Sequence, residues 1–338
     1  MLPPDPAHEA TEEKIRELEK RIKEQYEAAM KTAESKWKEY MRSFEAEDAF
    51  QAERLLNGEI TQEEYQNWRT RHLAMGKRWE DMKNTLAQDY HNANVIATKM
   101  ARGEMADVFA TNANFATYLI EHGGKIDTGF TLYNHETAEE LIKHEWTINP
   151  ETGKNSFLPP PKPGGKRARE LEKLRGTNPD VLWNAQNIQS AMMQGILTGE
   201  SLPDIAKRLA GVAKMNETQA KRTARTMFTN MENFGRMKAA DRAASLGVEI
   251  MDEWSAILDG VTRHSHRHLH GYRKPHDMDE PFPNGCRWPG DPSGPPQEIW
   301  NCRCTLLNWV SGFEGDTVKK SPGMGEMSFE EWLDAHRE

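Results

Sequence analysis

The feature that most constrains the fold is one long apolar stripe near the start of the sequence. Apolar residues recur there at steps of three or four positions: Ile15, Leu18, Ile22, Tyr26, Ala29, Ala33, Trp37, Tyr40 and Phe44. This 11-residue repeat averages about 3.67 residues per turn and keeps the stripe nearly parallel to the helix axis. The pattern predicts one long helix, ending at Asn57-Gly58, that needs a partner along most of its length. That partner lies either in its own domain or on another subunit.

Capping residues and glycines set the bounds of the next helices. Thr61 and Glu64 form a capping box that opens a second helical run. Helical composition then continues until Gly123-Gly124, and Asn134 is placed to cap a short helix beyond. The first part of the chain is therefore predicted to be mostly helical.

The middle of the chain contains the clearest boundary. Consecutive prolines followed by glycines over 157–165 are typical of an extended linker. Three helices are predicted after it, over 180–197, 203–210 and 217–246, the last capped by Asn216.

After 247 the sequence changes character, with a strand-like run followed by segments rich in Gly, Pro, Asn and Asp. We expect a small α+β unit there, with a short helix over 262–270. The predicted fold class is mainly α with a small C-terminal α+β domain. Its parts are a helical N-terminal region (1–156), a Pro/Gly linker (157–165), a basic helical segment (166–247), the α+β domain (248–312) and a flexible tail with a short helix (313–338).

Composition excludes several classes of protein. Apolar residues make up 37% of the 338 and charged residues 29%, with a mean hydropathy of −0.84. No segment approaches the about 20 apolar residues that cross a bilayer, and the first ten residues do not form a signal peptide. Three cysteines cannot form a disulfide framework. We therefore expect a soluble protein made in the cytoplasm, with no membrane partner.

The net charge of −9 is unevenly distributed. It is −8 over residues 1–165, +6 over 166–242 and −6 over 251–338. The basic segment is interpreted either as a solvated helix face or as a weak, sequence-independent contact with DNA phosphates. Its candidate DNA-contacting residues are Lys221, Arg222, Arg225, Arg236 and Lys238.

Histidines and cysteines are concentrated near the C-terminus. Five of the twelve histidines lie between His264 and His276, and all three cysteines lie between Cys286 and Cys304. Thiolates and imidazoles are the ligands of tetrahedral zinc sites, although the usual zinc-finger spacing is absent. The alternative is buried structural thiols beside surface histidines.

The same region carries a set of fixed motifs: a Trp, a Leu-Asp, a Thr-Arg with a His three positions on, a Gly, a P-G-D-P loop and an N-C-R-C end. The pattern resembles the phage Mu F family, the head morphogenesis or minor capsid proteins of tailed bacteriophages. The residues that carry the resemblance are Trp254, Asp259, Thr262, Arg263, His266, Gly271, Gly290, Asp291, Asn301 and Arg303. If a metal is bound, the resemblance favours His266, Cys302 and Cys304 as ligands of zinc. Cys286, His270 or His276 would be the fourth.

The resemblance implies a structural, non-enzymatic protein of the virion, made in the host cytoplasm. Its expected partners are the phage portal protein and other capsid proteins, with weak, non-specific contact to packaged DNA. Its expected role is head assembly, DNA packaging or ejection. The alternative is an enzyme-like module, either a metal-dependent nuclease or an ADP-ribosyltransferase-like toxin domain. The family is sometimes joined to toxins, but the chain leaves only about 30 residues after the α+β domain, so we expect no fused toxin.

Overall fold

The computed structural model describes residues 5–145, 178–277, 279–313 and 318–337. The linker predicted over 157–165 lies outside these residues. The α-helices are α1 (Pro6–Arg42), α2 (Glu45–Leu56), α3 (Gln62–Leu73), α4 (Lys77–Gly124), α5 (His135–Glu145), α6 (Pro179–Leu197), α7 (Leu202–Ser245), α8 (His264–Leu269), α9 (Pro296–Ile299) and α10 (Phe329–Ala335). The strands are β1 (Ile126–Asp127), β2 (Val248–Ser255), β3 (Tyr272–Pro275), β4 (Thr305–Phe313) and β5 (Lys319–Lys320), and a 3₁₀ helix covers Pro322–Glu326.

The predicted fold class is confirmed: the protein is mainly helical, with small antiparallel sheets towards its C-terminus. The larger sheet has the order β3-β2-β4, and its central strand pairs Trp254 with Tyr272 on one side and with Leu306 on the other. The smaller sheet joins β1 to β5. None of the described helices combines the length and the apolar character needed to cross a membrane.

The chain divides into two compact units, and α1, α4 and α7 each contribute to both. Unit 1 contains residues 1–18, 100–161 and 222–338, and unit 2 contains residues 19–99 and 162–221, so far as these are described. The α+β region and the last turns of α7 therefore belong to the same unit.

The core of unit 2 buries the C-terminal part of the predicted stripe. Trp37 and Tyr40 of α1 join α4 residues such as Trp79 in one apolar cluster, which Ile188 of α6 and Leu209 of α7 also enter. The stripe is thus covered by helices of its own chain. The first helix is shorter than predicted, because the chain turns after Arg42 and begins α2 at Glu45. Asn57 ends α2 instead.

Two of the predicted helix starts are found in the structure. At Thr61 the side chain accepts a hydrogen bond from the Glu64 amide, and the Glu64 carboxylate accepts one from the Thr61 amide. At Asn134 the side chain accepts from the amide of Thr137. The gap predicted after Gly123-Gly124 holds the two-residue strand β1, which was not predicted.

The two helices predicted over 203–210 and 217–246 are one continuous helix, α7. The prediction was wrong at Asn216, which lies inside this helix and not at its start. Asn216 is buried, and its amide donates to the Val212 carbonyl and to the Asn184 side chain of α6. An asparagine that could cap a helix can also lie inside a helix and form a hydrogen bond to a neighbouring one.

The C-terminal helix α10 is predicted correctly, but its place in the fold was not. Trp332 is fully buried among Phe130, Met324 and neighbouring aromatic residues of unit 1. Its indole N–H donates to the Glu121 carboxylate of α4 at 2.7 Å. The segment that the sequence suggested to be a loose tail is thus packed onto unit 1.

Candidate functional site

A row of short polar residues on the buried face of α7 forms the base of the site. Thr226, Thr229, Asn230 and Asn233 are spaced so that they share one side of the helix, and all four are buried. Thr229 donates to the Cys302 carbonyl at 2.7 Å, and Asn233 donates to the Cys304 carbonyl at 3.1 Å. These contacts fix the irregular segment that leads into β4.

Residues of the same row also hold the backbone at both ends of that segment by hydrogen bonds. The Thr226 hydroxyl accepts from the Asn301 amide at 2.9 Å, and Asn233 accepts from the Leu306 amide at 2.6 Å. Asn301 has a positive φ of 57°, a conformation that asparagine tolerates better than most residues. Buried backbone groups outside regular structure need such partners, because each orphaned group costs free energy.

The P-G-D-P loop packs against the same face of α7. The Trp288 indole donates to Asn230 at 3.0 Å. Gly290 has φ 83°, and a Cβ there would lie 3.0 Å from the Asn230 amide nitrogen, so glycine is required both by conformation and by space. Asp291 is fully buried and organises the loop by accepting hydrogen bonds from Arg287 and Ser293.

His266 of α8 meets both cysteines of the N-C-R-C segment. Its Nδ1 lies 3.2 Å from Cys304 Sγ and 3.7 Å from Cys302 Sγ, and all three residues are buried. The ring stands edge-on to the Trp254 indole of β2, with centroids 5.2 Å apart. On the other side of the ring, Nε2 lies 3.1 Å from a carboxylate oxygen of Glu298. The predicted ligands His266, Cys302 and Cys304 are therefore brought together.

The two thiols are electrostatically different. Burial alone would raise the pKa of Cys302, but hydrogen bonds from Cys304 and His266 lower it to about 5. The hydrogen bond with Cys302, together with burial, raises the pKa of Cys304 far above its ordinary value. Cys302 is thus the thiol of the pair that ionises more readily, and the Cys304 backbone amide also donates to its sulfur at 3.4 Å.

A polar latch closes the loop between β2 and α8. Arg303 lies 2.7 Å from the Asp259 carboxylate, which also accepts from the Thr262 hydroxyl and the Val261 amide. The hydrogen bond from Arg303 lowers the pKa of Asp259 to about 2. Arg263 donates to the Trp300 carbonyl and so ties the start of α8 to the N-C-R-C segment. The predicted motif residues Asp259, Thr262 and Arg303 thus form the latch, and a fourth, Arg263, anchors the helix that follows it.

A small cavity of about 20 Å³ lies between the latch and the His/Cys cluster. Polar residues of both groups line it, among them His266, Cys304, Asn301 and Arg303. This volume is enough for about one water molecule.

The other candidate ligands lie apart from the cluster. Cys286 is buried against Gly294, where a Cβ would come within 2.5 Å of its sulfur. His270 accepts a hydrogen bond from the Ala256 amide, and His276 lies 2.9 Å from the Asp252 carboxylate. Gly271 has φ 78° and donates its amide to the Trp254 carbonyl, so its role is in the chain reversal between α8 and β3.

The five candidate DNA-contacting residues are largely engaged within the protein. Arg236 is 1% exposed and pairs with Asp5, so it cannot reach a phosphate in this fold. Arg225 pairs with Glu12 at 3.0 Å, and Lys221 with Glu217 at 2.8 Å. The Lys238 amine lies 5.5 Å from the centre of the Phe234 ring. Arg222 is the exposed member of the group and stacks over Trp300.

Residues 186–307 match the family model described as "Phage Mu protein F like protein". The resemblance to the phage Mu F family is therefore confirmed. This Mu F-like region runs from within α6 into β4. It includes the polar face of α7, the P-G-D-P loop, the latch and the His/Cys cluster.

Two curated proteins are similar over longer stretches. The chain is 24% identical to "Minor head protein GP7" of Bacillus phage SPP1 over 259 residues, which cover 76% of this chain and 73% of that protein. It is 30% identical over 197 residues to "NAD(+)--arginine ADP-ribosyltransferase EFV" of Enterococcus faecalis. That match covers 57% of this chain but only 37% of the enterococcal protein. No solved structure matches the chain significantly.

Proposed function

We propose that this protein is a minor head protein of a tailed phage or prophage, which enters the virion by binding the portal protein and takes part in head assembly, DNA packaging or ejection. The observation that carries the proposal is the match to the SPP1 minor head protein, since it extends over about three quarters of both chains. The Mu F-like region also supports it.

The latch offers a surface suited to a protein partner. Leu258 and Val261, at the tip of the loop between β2 and α8, are 58% and 79% exposed. Asp259 between them is held by Arg303 and Thr262, so the loop is fixed while its aliphatic side chains face outward. A rigid apolar tip loses little conformational entropy on binding. We assign this tip to contact with the portal.

Contact with packaged DNA has weaker support. Three of the five candidate residues, Lys221, Arg225 and Arg236, already pair with carboxylates of the protein, and such pairs have little left to offer a phosphate. Arg222 is the residue through which this contact would be made, because its guanidinium is exposed on a tryptophan face.

The experiment is co-purification with the portal protein encoded in the same phage or prophage. Leu258→Asp with Val261→Asp is expected to abolish co-purification while the thermal unfolding temperature is unchanged, since both side chains are exposed. Phe50→Asp with Leu56→Asp is the matched control, because these residues are 57% and 87% exposed in unit 2. Equal retention of the portal by the two variants would refute the assignment of the tip.

An enzymatic role is the second candidate, because of the match to the enterococcal transferase. That match leaves most of the transferase outside the compared region. The cavity beside the His/Cys cluster is also far below the about 300 Å³ of the smallest typical ligand sites. Hydrolysis of NAD⁺, or transfer of ADP-ribose to an arginine substrate by the purified chain, would favour the enzymatic role over the structural one.

A further inference from the structure

The spacing of the cluster atoms is that of ligands around one ion. Zinc lies about 2.3 Å from sulfur and about 2.05 Å from nitrogen, so a tetrahedral arrangement puts sulfur and nitrogen ligands about 3.6 Å apart. The observed distances from His266 Nδ1 to the sulfurs of Cys304 and Cys302 are 3.2 and 3.7 Å. Among the described residues, these three form a group whose donor atoms all lie within 4.8 Å of one another.

The surroundings prepare these residues to act as ligands. Glu298 lies 3.1 Å from His266 Nε2, and the Ser265 hydroxyl donates to the same carboxylate oxygen at 2.7 Å. Nε2 makes no hydrogen bond in this structure, but a carboxylate 3.1 Å away would stabilise a proton on Nε2 once the Nδ1 lone pair binds an ion. Carboxylate–histidine pairs orient the imidazole in many metal sites.

The backbone holds both thiols in place before any ion arrives. The carbonyls of Cys302 and Cys304 are fixed by Thr229 and Asn233 of α7, and the Cys304 amide donates to Cys302 Sγ. Two thiolates and a neutral imidazole carry two negative charges, so a divalent cation would balance the charge of the three ligands. The three protein ligands leave one tetrahedral position, and the adjoining cavity has room for about one water.

We propose that His266, Cys302 and Cys304 bind one Zn²⁺ ion, with a water in the adjoining cavity as fourth ligand. Glu298 is the positioning residue for the imidazole. Thiolate and imidazole donors select zinc over magnesium or calcium, which prefer oxygen. The ion would join α8 to the N-C-R-C segment and so stabilise a region that contains little regular structure. The proposal is independent of the role in the phage head.

The test is metal analysis of the full chain, purified without a histidine tag and kept reduced. We expect roughly one equivalent of zinc per chain, and a chelator should lower the unfolding temperature. Cys302→Ser and Cys304→Ser should each lose the metal. Cys286→Ser is the matched control, since it removes a third buried thiol outside the cluster and should retain zinc. Glu298→Gln should weaken zinc affinity about 10- to 100-fold without abolishing it.

Two further measurements keep the test decisive if a serine variant fails to fold. The wild-type chain refolded with Co²⁺ should show thiolate-to-metal charge-transfer absorption, and intact mass should show both cysteines reduced. Less than about half an equivalent of zinc, with unfolding indifferent to chelator and to added Zn²⁺, would overturn the proposal. So would a disulfide between Cys302 and Cys304, or loss of the metal from Cys286→Ser.

Discussion

His8 at the start of α1 should make the stability of unit 1 depend on pH above neutrality. Its Nδ1 lies 2.8 Å from the Glu232 carboxylate and 3.0 Å from the Thr305 hydroxyl, and its side chain is 19% exposed. The Glu232 charge, opposed by burial, raises the pKa of His8 from 6.5 to about 9. In the folded protein His8 is therefore an imidazolium ion at neutral pH.

The sign and size of the effect follow from these two pKa values. Because the folded pKa is the higher one, the stabilisation is fully present below pH 6.5 and is lost as the pH rises through about 9. Between about pH 7 and 9.5 the loss is about 2 to 3 kcal/mol, at about 1.4 kcal/mol per pKa unit. This is a large part of the stability of an ordinary domain.

The measurement compares the wild-type chain with His8→Asn by denaturant unfolding at both pH values. Other groups titrate in this range, including the cysteines of the unfolded chain, and their contributions cancel in the difference between the two proteins. The difference in unfolding free energy between the wild type and the variant should be about 2 to 3 kcal/mol larger at pH 7 than at pH 9.5, in favour of the wild type. An NMR titration of His8 gives the folded pKa directly. A stability difference that is the same at both pH values, or a folded pKa near 6.5, would refute the reasoning.

Three other predictions follow from single contacts. Gly290→Ala should destabilise unit 1 by more than Gly271→Ala in thermal unfolding: both have positive φ, but only at Gly290 does a Cβ meet α7. Equal losses, near the about 1–2 kcal/mol of left-handed backbone strain alone, would contradict the close approach. Trp332→Ala should cost about 3–5 kcal/mol and remove one of the hydrogen bonds to the buried Glu121 carboxylate, whereas unchanged stability would show that α10 is not docked. If the basic segment binds DNA, Arg222→Ser should lower the logarithmic salt dependence of binding by about one, and an unchanged slope would exclude Arg222 from the contact.

The sequence was sufficient for features that depend on neighbours along the chain. The capping box at Thr61, the cap at Asn134 and the long stripe of α1 were predicted because helix signals lie within one or two turns of each other. The meeting of His266 with Cys302 and Cys304 was anticipated from the motif and the chemistry of the residues. The sequence left Cys286, His270 and His276 open as a fourth ligand, because spacing along the chain does not tell which of them lies near the cluster.

Features that depend on distant partners could not be predicted in this way. Thr229, Asn230 and Asn233 are polar residues on a basic helix and suggest a solvated face, yet they are buried beneath the loops that they hold. Arg236 suggested a phosphate contact because it lies on the same basic helix, but it is paired with Asp5, which lies more than 200 positions away in the sequence. The available signal for the buried polar face of α7 is a row of Thr and Asn at helical spacing, just before a Gly- and Pro-rich region.

The role in the phage head is tested most directly by quantitative mass spectrometry of purified heads. Heads assembled by the phage or prophage that encodes this chain should contain it in a fixed ratio to the portal protein. Heads assembled without the portal should lack it. Its absence from portal-containing heads, or its equal presence in heads with and without the portal, would contradict the account.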